Sequence, residues 1–145
     1  PKFSYSIKKQ IANPRKVYSV DTGLAKVVST SQNQTPGGMM ENMVFMHLRR
    51  KRNQVFYYSE LFECDFVVLR NEEPQAAIQV CHQLNQQNFV KEIKGLESDM
   101  NDLNLDEGTI VNLDQEEVFE RKDKQIRAIP IWKYLMDEVP YKATA

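Results

Sequence analysis

Two carboxylates fall where the surrounding pattern calls for apolar side chains. Around Glu41, at about 100° per residue for a helix, Met40, Val44, Phe45 and Leu48 share one arc, with Glu41 at its middle and Asn42, Arg49 and Arg50 pointing away. A carboxylate centred in an apolar stripe is costly unless something pairs with it. Glu41 is therefore either a site residue or an acid that complements the helix N-terminus, left partly wet by the loop at Gly37-Gly38. Asp65 repeats the pattern in a strand. With a period of two it shares a face with Val67 and Leu69, while Cys64, Phe66 and Val68 face the other way. Acidic residues are disfavoured inside strands, so Asp65 reads as a site residue ahead of a strand-end carboxylate capped by backbone N–H groups. On the following strand Gln79 lies with Ala77 and Cys81, opposite Ile78 and Val80. If these strands pair in chain order, Asp65 and Gln79 converge on one patch.

Other groups carry weaker signals. Arg49-Arg50-Lys51-Arg52 is a run of four cations at a helix end. Such a run complements the helix dipole in solvent, or it forms a phosphate-contact strip for DNA or RNA, with Tyr57 and Tyr58 near enough to stack. His47 borders the apolar arc and His82 ends a strand, and neither has a partner at catalytic spacing. Cys64 and Cys81 sit in strand-like runs, where a small buried thiol is the default; a redox-linked pair is the alternative. Two Cys and two His without CxxC or HxxxH spacing do not make a zinc site. The chain has no Gly-x-x-x-x-Gly-Lys-[Ser/Thr] phosphate loop, so nucleotide hydrolysis does not belong to it.

The elements that must position these groups read as an α/β pattern. Residues 16–21 form a short strand and 22–28 begin a helix or turn. Residues 31–38 make a polar loop rich in Gly and Pro, and a helix runs over 39–50. Strands follow at 54–58, 64–69 and 76–81, β-branched and aromatic runs bounded by turn residues. A helix over 87–103 places Phe89, Ile93, Leu96, Met100 and Leu103 on one stripe. The chain closes with a strand at 109–113, a charged hairpin or loop, a strand at 125–131 and a short helix from Trp132. This order predicts a mixed central sheet flanked by helices.

With 145 residues the chain fits one domain with a real core, and 19 Lys+Arg against 20 Asp+Glu give no global pull towards nucleic acid or membrane. No apolar run is long enough to span a bilayer. The start lacks an initiator Met and a signal core, so a fragment of a longer cytoplasmic protein is expected, with residues 1–15 as a linker from the preceding part.

Taken together, Lys16-Val17-Tyr18 to Asp21-Thr22-Gly23-Leu24, Glu41-Asn42-Met43-Val44-Phe45 to Leu48-Arg49-Arg50, Val55-Phe56-Tyr57-Tyr58, Glu63 to Val68, Ile78 to Cys81, Lys91 to Leu96 and Ile129-Pro130-Ile131-Trp132 form a pattern across nearly the whole chain. It resembles the uncharacterised C-terminal domain of bacterial and archaeal AAA-type ATPases. The resemblance implies a PD-(D/E)XK nuclease-like, restriction-endonuclease-like fold, with a helix Glu, a strand Asp and an E-x-K on the next strand. In such a site carboxylates hold Mg²⁺ and the Lys orients or deprotonates water. Glu41 matches the helix Glu and Asp65 the strand Asp, so these two are the metal candidates. Where E-x-K is expected, however, the chain has Gln79-Val80-Cys81. One charge and the water activator are lost, each typically worth about 10²–10⁴-fold for a positioned acid or base. Lys91 and Lys94 on the following helix have no spacing that places them in the Lys role.

The expectation is a vestigial site of Glu41, Asp65, Gln79 and Cys81 in a non-catalytic accessory domain. Its partner would be the ATPase module of its own parent chain or another protein, with ATP bound only in that missing part. The alternative is a metal-dependent nuclease or nucleic-acid-binding domain with Mg²⁺ at Glu41 and Asp65.

Overall fold

The computed structural model describes residues 1–21, 23 and 35–136. In chain order these form α1 (Ile7–Ala12), α2 (Pro36–Arg50), β1 (Gln54–Ser59), β2 (Glu63–Arg70), β3 (Glu73–Val80), α3 (Phe89–Asp102), β4 (Glu107–Asn112), β5 (Glu117–Arg121), β6 (Lys124–Pro130) and α4 (Ile131–Met136). The strands make one six-stranded mixed sheet in the order β1-β2-β3-β4-β6-β5. β1, β2 and β3 form an antiparallel meander. β3 and β4 run parallel, joined by α3 as the crossover, and β4 and β6 are also parallel. A parallel step needs such a crossover, because a tight turn only reverses the chain.

Each sheet face is covered by helix. On one side α3 buries Ile93, Leu96 and Met100 against Val67, Leu69, Ala77, Ile110 and Ile126. The predicted stripe therefore does face the sheet, with Phe89 packed at its edge. The approach is close at Gly108, where a Cβ would stand 2.5 Å from Met100 Sδ. On the other side α2 and α4 bury Met40, Val44, Leu48, Ile131 and Tyr134 against Phe66, Val68, Ile78, Val111 and Ile129. β2 and β3 contribute alternately to both layers, as a strand buried on two faces must.

Several boundaries differ from the sequence expectation. α2 begins three residues earlier, so Pro36, Gly37 and Gly38 form its first turn instead of a loop. Pro36 is preset for the first helical position, and Thr35 Oγ1 accepts from the Gly38 N–H at 3.2 Å as the N-cap. These two terms outweigh the cost of two glycines. Residues 16–20, expected as a strand, join no ladder; side-chain bonds hold them instead. The expected helix or turn at 22–28 lies outside the described residues apart from Gly23, as do 31–34 of the expected loop. The charged stretch after β4 resolves into a β5–β6 hairpin that turns through Lys122 at φ 55°. Of residues 1–15, read as a linker, Phe3 is buried in the core while α1 buries no side chain. Both cysteines are free and buried. Among the described residues no helix is long and apolar enough to cross a membrane.

Candidate functional site

β2 and β1 slip register where the site begins. Phe56 pairs with Val67 and Tyr58 with Cys64, so Asp65 and Phe66 together oppose the single residue Tyr57. Such a bulge breaks the alternation of faces. Asp65 therefore turns with Phe66 towards α2, not with Val67 and Leu69 towards α3 as a strict period of two predicts. The β2–β3 ladder ends at Phe66 and Ile78, and beyond it side chains continue the pairing. The Val80 N–H donates to Asp65 Oδ2 at 2.9 Å, and the Asp65 N–H donates to Gln79 Oε1 at 3.3 Å. Asp65 and Gln79 do converge, although through one backbone group and not side chain to side chain.

The centre of the site is a residue the sequence reading did not nominate. Lys16 Nζ lies 3.2 Å from Glu41 Oε1, 3.1 Å from Asp65 Oδ1 and 2.6 Å from Glu63 Oε1. Tyr18 donates its hydroxyl to the same Glu41 Oε1 at 2.6 Å, and its ring stacks on Phe45 at 4.1 Å. Lys16 Nζ also sits 5.5 Å from the centroid of the Tyr57 ring, within reach of a cation–π attraction. Glu41 is the sixth residue of α2, past its first turn, so partner charges and not the helix dipole account for a carboxylate on the apolar face. No periodicity could reveal Lys16, which stands 25 residues from Glu41 and 49 from Asp65 in an unpaired segment.

The electrostatics follow from three carboxylates gathered round one ammonium. Burial disfavours the charge of Lys16, yet the Glu63 hydrogen bond and the charges of Asp65 and Glu41 outweigh it, so its pKa lies above the ordinary lysine value. Burial first, then the negative charge of Glu41, pushes Asp65 up to about 6, against the pull of Lys16 and the Val80 N–H. Burial and the bond to Glu41 also raise the Tyr18 phenol, which stays protonated.

A cavity of about 280 Å³ opens on this cluster, lined by Lys16, Glu41, Glu63, Asp65 and Gln79, with Lys91 from α3. Lys94 and Cys81 do not line it. Cys81 is packed in the α3-side core, where burial pushes its thiol up to about 12. Burial and the charge of Asp99 raise Cys64 further. Neither thiol reacts readily in that state. Mass spectrometry after brief iodoacetamide treatment of the native protein is expected to find both unmodified, with full labelling only in denaturant.

A divalent cation demands several free oxygen donors. Glu41 Oε1 is shared by Lys16 and Tyr18, and both oxygens of Asp65 are engaged. Among the described residues no group of three His, Cys, Asp or Glu is arranged to hold a metal ion. The arrangement fits an ammonium and not Mg²⁺.

The remaining candidates lie elsewhere. Arg49, Arg50, Lys51 and Arg52 are exposed at the end of α2. Arg49 donates to the Asn53 carbonyl at 3.2 Å and, unlike the other three, lines a second cavity of about 280 Å³ that it shares with Lys16 and Asp65 and that Tyr18, Phe45, Phe56, Tyr57 and Phe66 wall. Tyr58 points into the α3-side core instead, donating to Asp102 Oδ2 at 3.2 Å. His47 packs beside Tyr134 with ring centroids 5.6 Å apart, and burial together with the charges of Lys51 and Arg50 lowers its pKa. His82 is exposed at the end of β3.

A family model described as a domain of unknown function (DUF4143) matches residues 36–134. Glu41, Glu63, Asp65, Gln79 and Cys81 lie inside that span, and Lys16 and Tyr18 precede it. The uncharacterized protein MJ1544 of Methanocaldococcus jannaschii is 33% identical, over 90% of this chain and 31% of that protein. The chain thus spans about a third of the length of that relative. No solved structure matches it.

Proposed function

The chain belongs to the family described as a domain of unknown function (DUF4143), and from that footing we propose that it is a non-catalytic accessory domain of a cytoplasmic AAA-type ATPase, built on a degenerate PD-(D/E)XK nuclease-like fold. Its partner is the ATPase module of its own parent chain or another protein, and ATP is handled there.

The observation that carries this reading is the fate of the two positions where E-x-K would stand. The Gln79 amide oxygen is used on the Asp65 N–H. Cys81 sits in the core, outside the cavity that opens on Asp65. Neither is available to activate water, and Lys16, in contact with both Glu41 and Asp65, is committed to ion pairs. A base in that state cannot supply the about 10²–10⁴-fold that proton transfer contributes.

The test is cleavage of plasmid, single-stranded and duplex oligonucleotides with Mg²⁺ and with Mn²⁺. No metal-dependent cleavage is expected. Cleavage that disappears in Asp65→Ala would overturn the reading. The second reading, nucleic-acid binding, is favoured by Arg49 at the mouth of an aromatic-walled cavity. Salt-sensitive oligonucleotide binding that weakens when residues 49–52 become alanine would move the assignment there.

A further inference from the structure

The two edges of the sheet are finished differently. Residues 1–3 run along the outer edge of β1, where Lys2 bridges Tyr57 and the Phe3 N–H donates to the Tyr57 carbonyl at 2.7 Å. β5 ends the sheet on the other side, and among the described residues it pairs only with β6. Which of its backbone groups are free follows from the hairpin. Gln125 pairs with Glu120, yet its N–H donates away from β5, to the Asp106 carbonyl at 2.9 Å. Glu120 and Gln125 are thus a non-hydrogen-bonded pair, and such pairs alternate with bonded ones along an antiparallel ladder. The backbone N–H and C=O groups of Val118 and Glu120 therefore point outward from the sheet. In agreement, the Glu120 carbonyl accepts from its neighbour's side chain, Arg121 Nη1, at 3.1 Å. An open row of this kind is a template for another strand.

The side chains along β5 complement a second copy of themselves. Phe119 packs against the α3-side core and meets Phe89 edge-on, with ring centroids 5.1 Å apart. By the period of two, Glu117 and Arg121 share that face, on either side of Phe119. Among the described residues neither forms an ion pair. When two β5 strands meet antiparallel about a two-fold axis at Phe119, Glu117 of each faces Arg121 of the other. Val118 then lies opposite Glu120, and these residues, with their outward backbone groups, exchange N–H···O bonds in both directions. Phe119 faces its own copy in a non-hydrogen-bonded pair, where side chains stand closest. The two rings join Phe89 of each copy at the rim of a cavity of about 410 Å³, lined by Leu84, Phe89, Gln115, Glu117 and Phe119. Other registers are worse. A slip by one residue mismatches the outward backbone groups. A slip by two sets Glu120 against its own copy or, the other way, Glu116 against Glu120, and like charges directly opposite are unfavourable.

We propose that β5 is a self-association edge: two copies of this chain join antiparallel about Phe119, so that their sheets continue into one, with Glu117 bridging Arg121 across the seam in both directions. The two-fold axis stands perpendicular to the sheet, which keeps α3 of both copies on the same face. The seam is short, five residues from each copy, so the dimer forms and parts with concentration. The charges at Glu117 and Arg121 set the register. They also bar an in-register parallel arrangement, in which each Glu would lie beside its own copy. The seam lies at the far edge of the sheet from β1 and β2, so it stands whether or not the Lys16 cluster is catalytically silent.

The experiment is sedimentation velocity from micromolar to millimolar concentration on wild type, Glu117→Arg, Arg121→Glu, their equimolar mixture, and the Glu117→Arg/Arg121→Glu double variant. Wild type is expected to pass from monomer to dimer across that range. Each single swap sets like charges opposite each other at both ends of the seam and is expected to raise the dimer Kd roughly tenfold or more. The mixture restores both ion pairs in a mixed dimer, and the double swap restores them between identical chains. Both are expected to return to the wild-type Kd. A wild type that stays monomeric throughout overturns the proposal and leaves the edge to a strand of another protein. A dimer that neither single swap weakens overturns it as well, because its interface lies elsewhere. Weakening without recovery in the mixture and in the double swap also overturns it. A second measurement needs no variant: hydrogen exchange at the Val118 and Glu120 amides of wild type is expected to slow as concentration rises, and unchanged exchange counts against the seam.

Discussion

A Phe3→Ala variant is expected to lose about 3–5 kcal/mol of stability, the usual cost of emptying a buried phenylalanine site. Phe3 is only 2% exposed. Its ring meets Tyr5 edge-on at 5.1 Å and Phe56 at 6.0 Å, and it belongs to the core layer that includes Val67, Leu69 and Ile93. The backbone is tied as well. The Phe3 N–H donates to the Tyr57 carbonyl at 2.7 Å, and the Tyr57 N–H donates to the Pro1 carbonyl at 3.1 Å, so residues 1–3 lie as a parallel bridge along the outer edge of β1. Since a domain holds about 5–15 kcal/mol in total, the loss would shift the urea midpoint strongly while leaving the slope unchanged. A loss below about 1 kcal/mol, the scale of ordinary surface substitutions, would mean that the first residues do behave as a linker.

The second large effect has the opposite sign. Asp99 on α3 is 1% exposed, and among the described residues neither carboxylate oxygen has a hydrogen-bond partner. Burial, followed by the charge of Asp102, pushes its pKa up to about 7, and its own charge raises the Tyr58 phenol and the Cys64 thiol beside it. The folded carboxyl thus holds its proton more tightly than the unfolded one. Its contribution to stability is present in full at acid pH and is lost as pH rises from about 4 through about 7. Asp99→Asn carries no charge to bury, so it is expected to be more stable than wild type at pH 8 by about 1–3 kcal/mol, since each pKa unit separating the folded and unfolded carboxyl is worth about 1.4 kcal/mol. The gap should shrink steadily towards pH 4. Paired melting curves across that range test this, and a difference that does not change with pH would remove Asp99 as its source.

Asp99 also shows how far local pattern reading reaches. It lies three residues after Leu96 and four before Leu103, at the border of the very stripe that defines α3. A carboxylate there is the same signal that singles out Glu41 and Asp65, and it was present in the chain to be found. What the pattern cannot supply is the partner. Glu41 and Asp99 are both acids on apolar faces, yet one is met by Lys16 and Tyr18, and the other finds no hydrogen-bond partner among the described residues.

The amino-acid order by itself determined what depends on near neighbours: the three strands of the meander, the α3 stripe, the mixed α/β order, and two carboxylates, Glu41 and Asp65, standing in apolar stretches. Those follow from periods of two and 3.6 and from residue type, which act over a few positions. Tertiary structure alone decided the rest. The bulge that turns Asp65 towards α2 comes from pairing with β1. The burial of Phe3 needs the edge of β1 to exist first. Lys16 reaches its carboxylates because the folded sheet and α2 bring together residues 25 and 49 positions away, and a charge interaction depends on distance in space, which no spacing along the chain encodes.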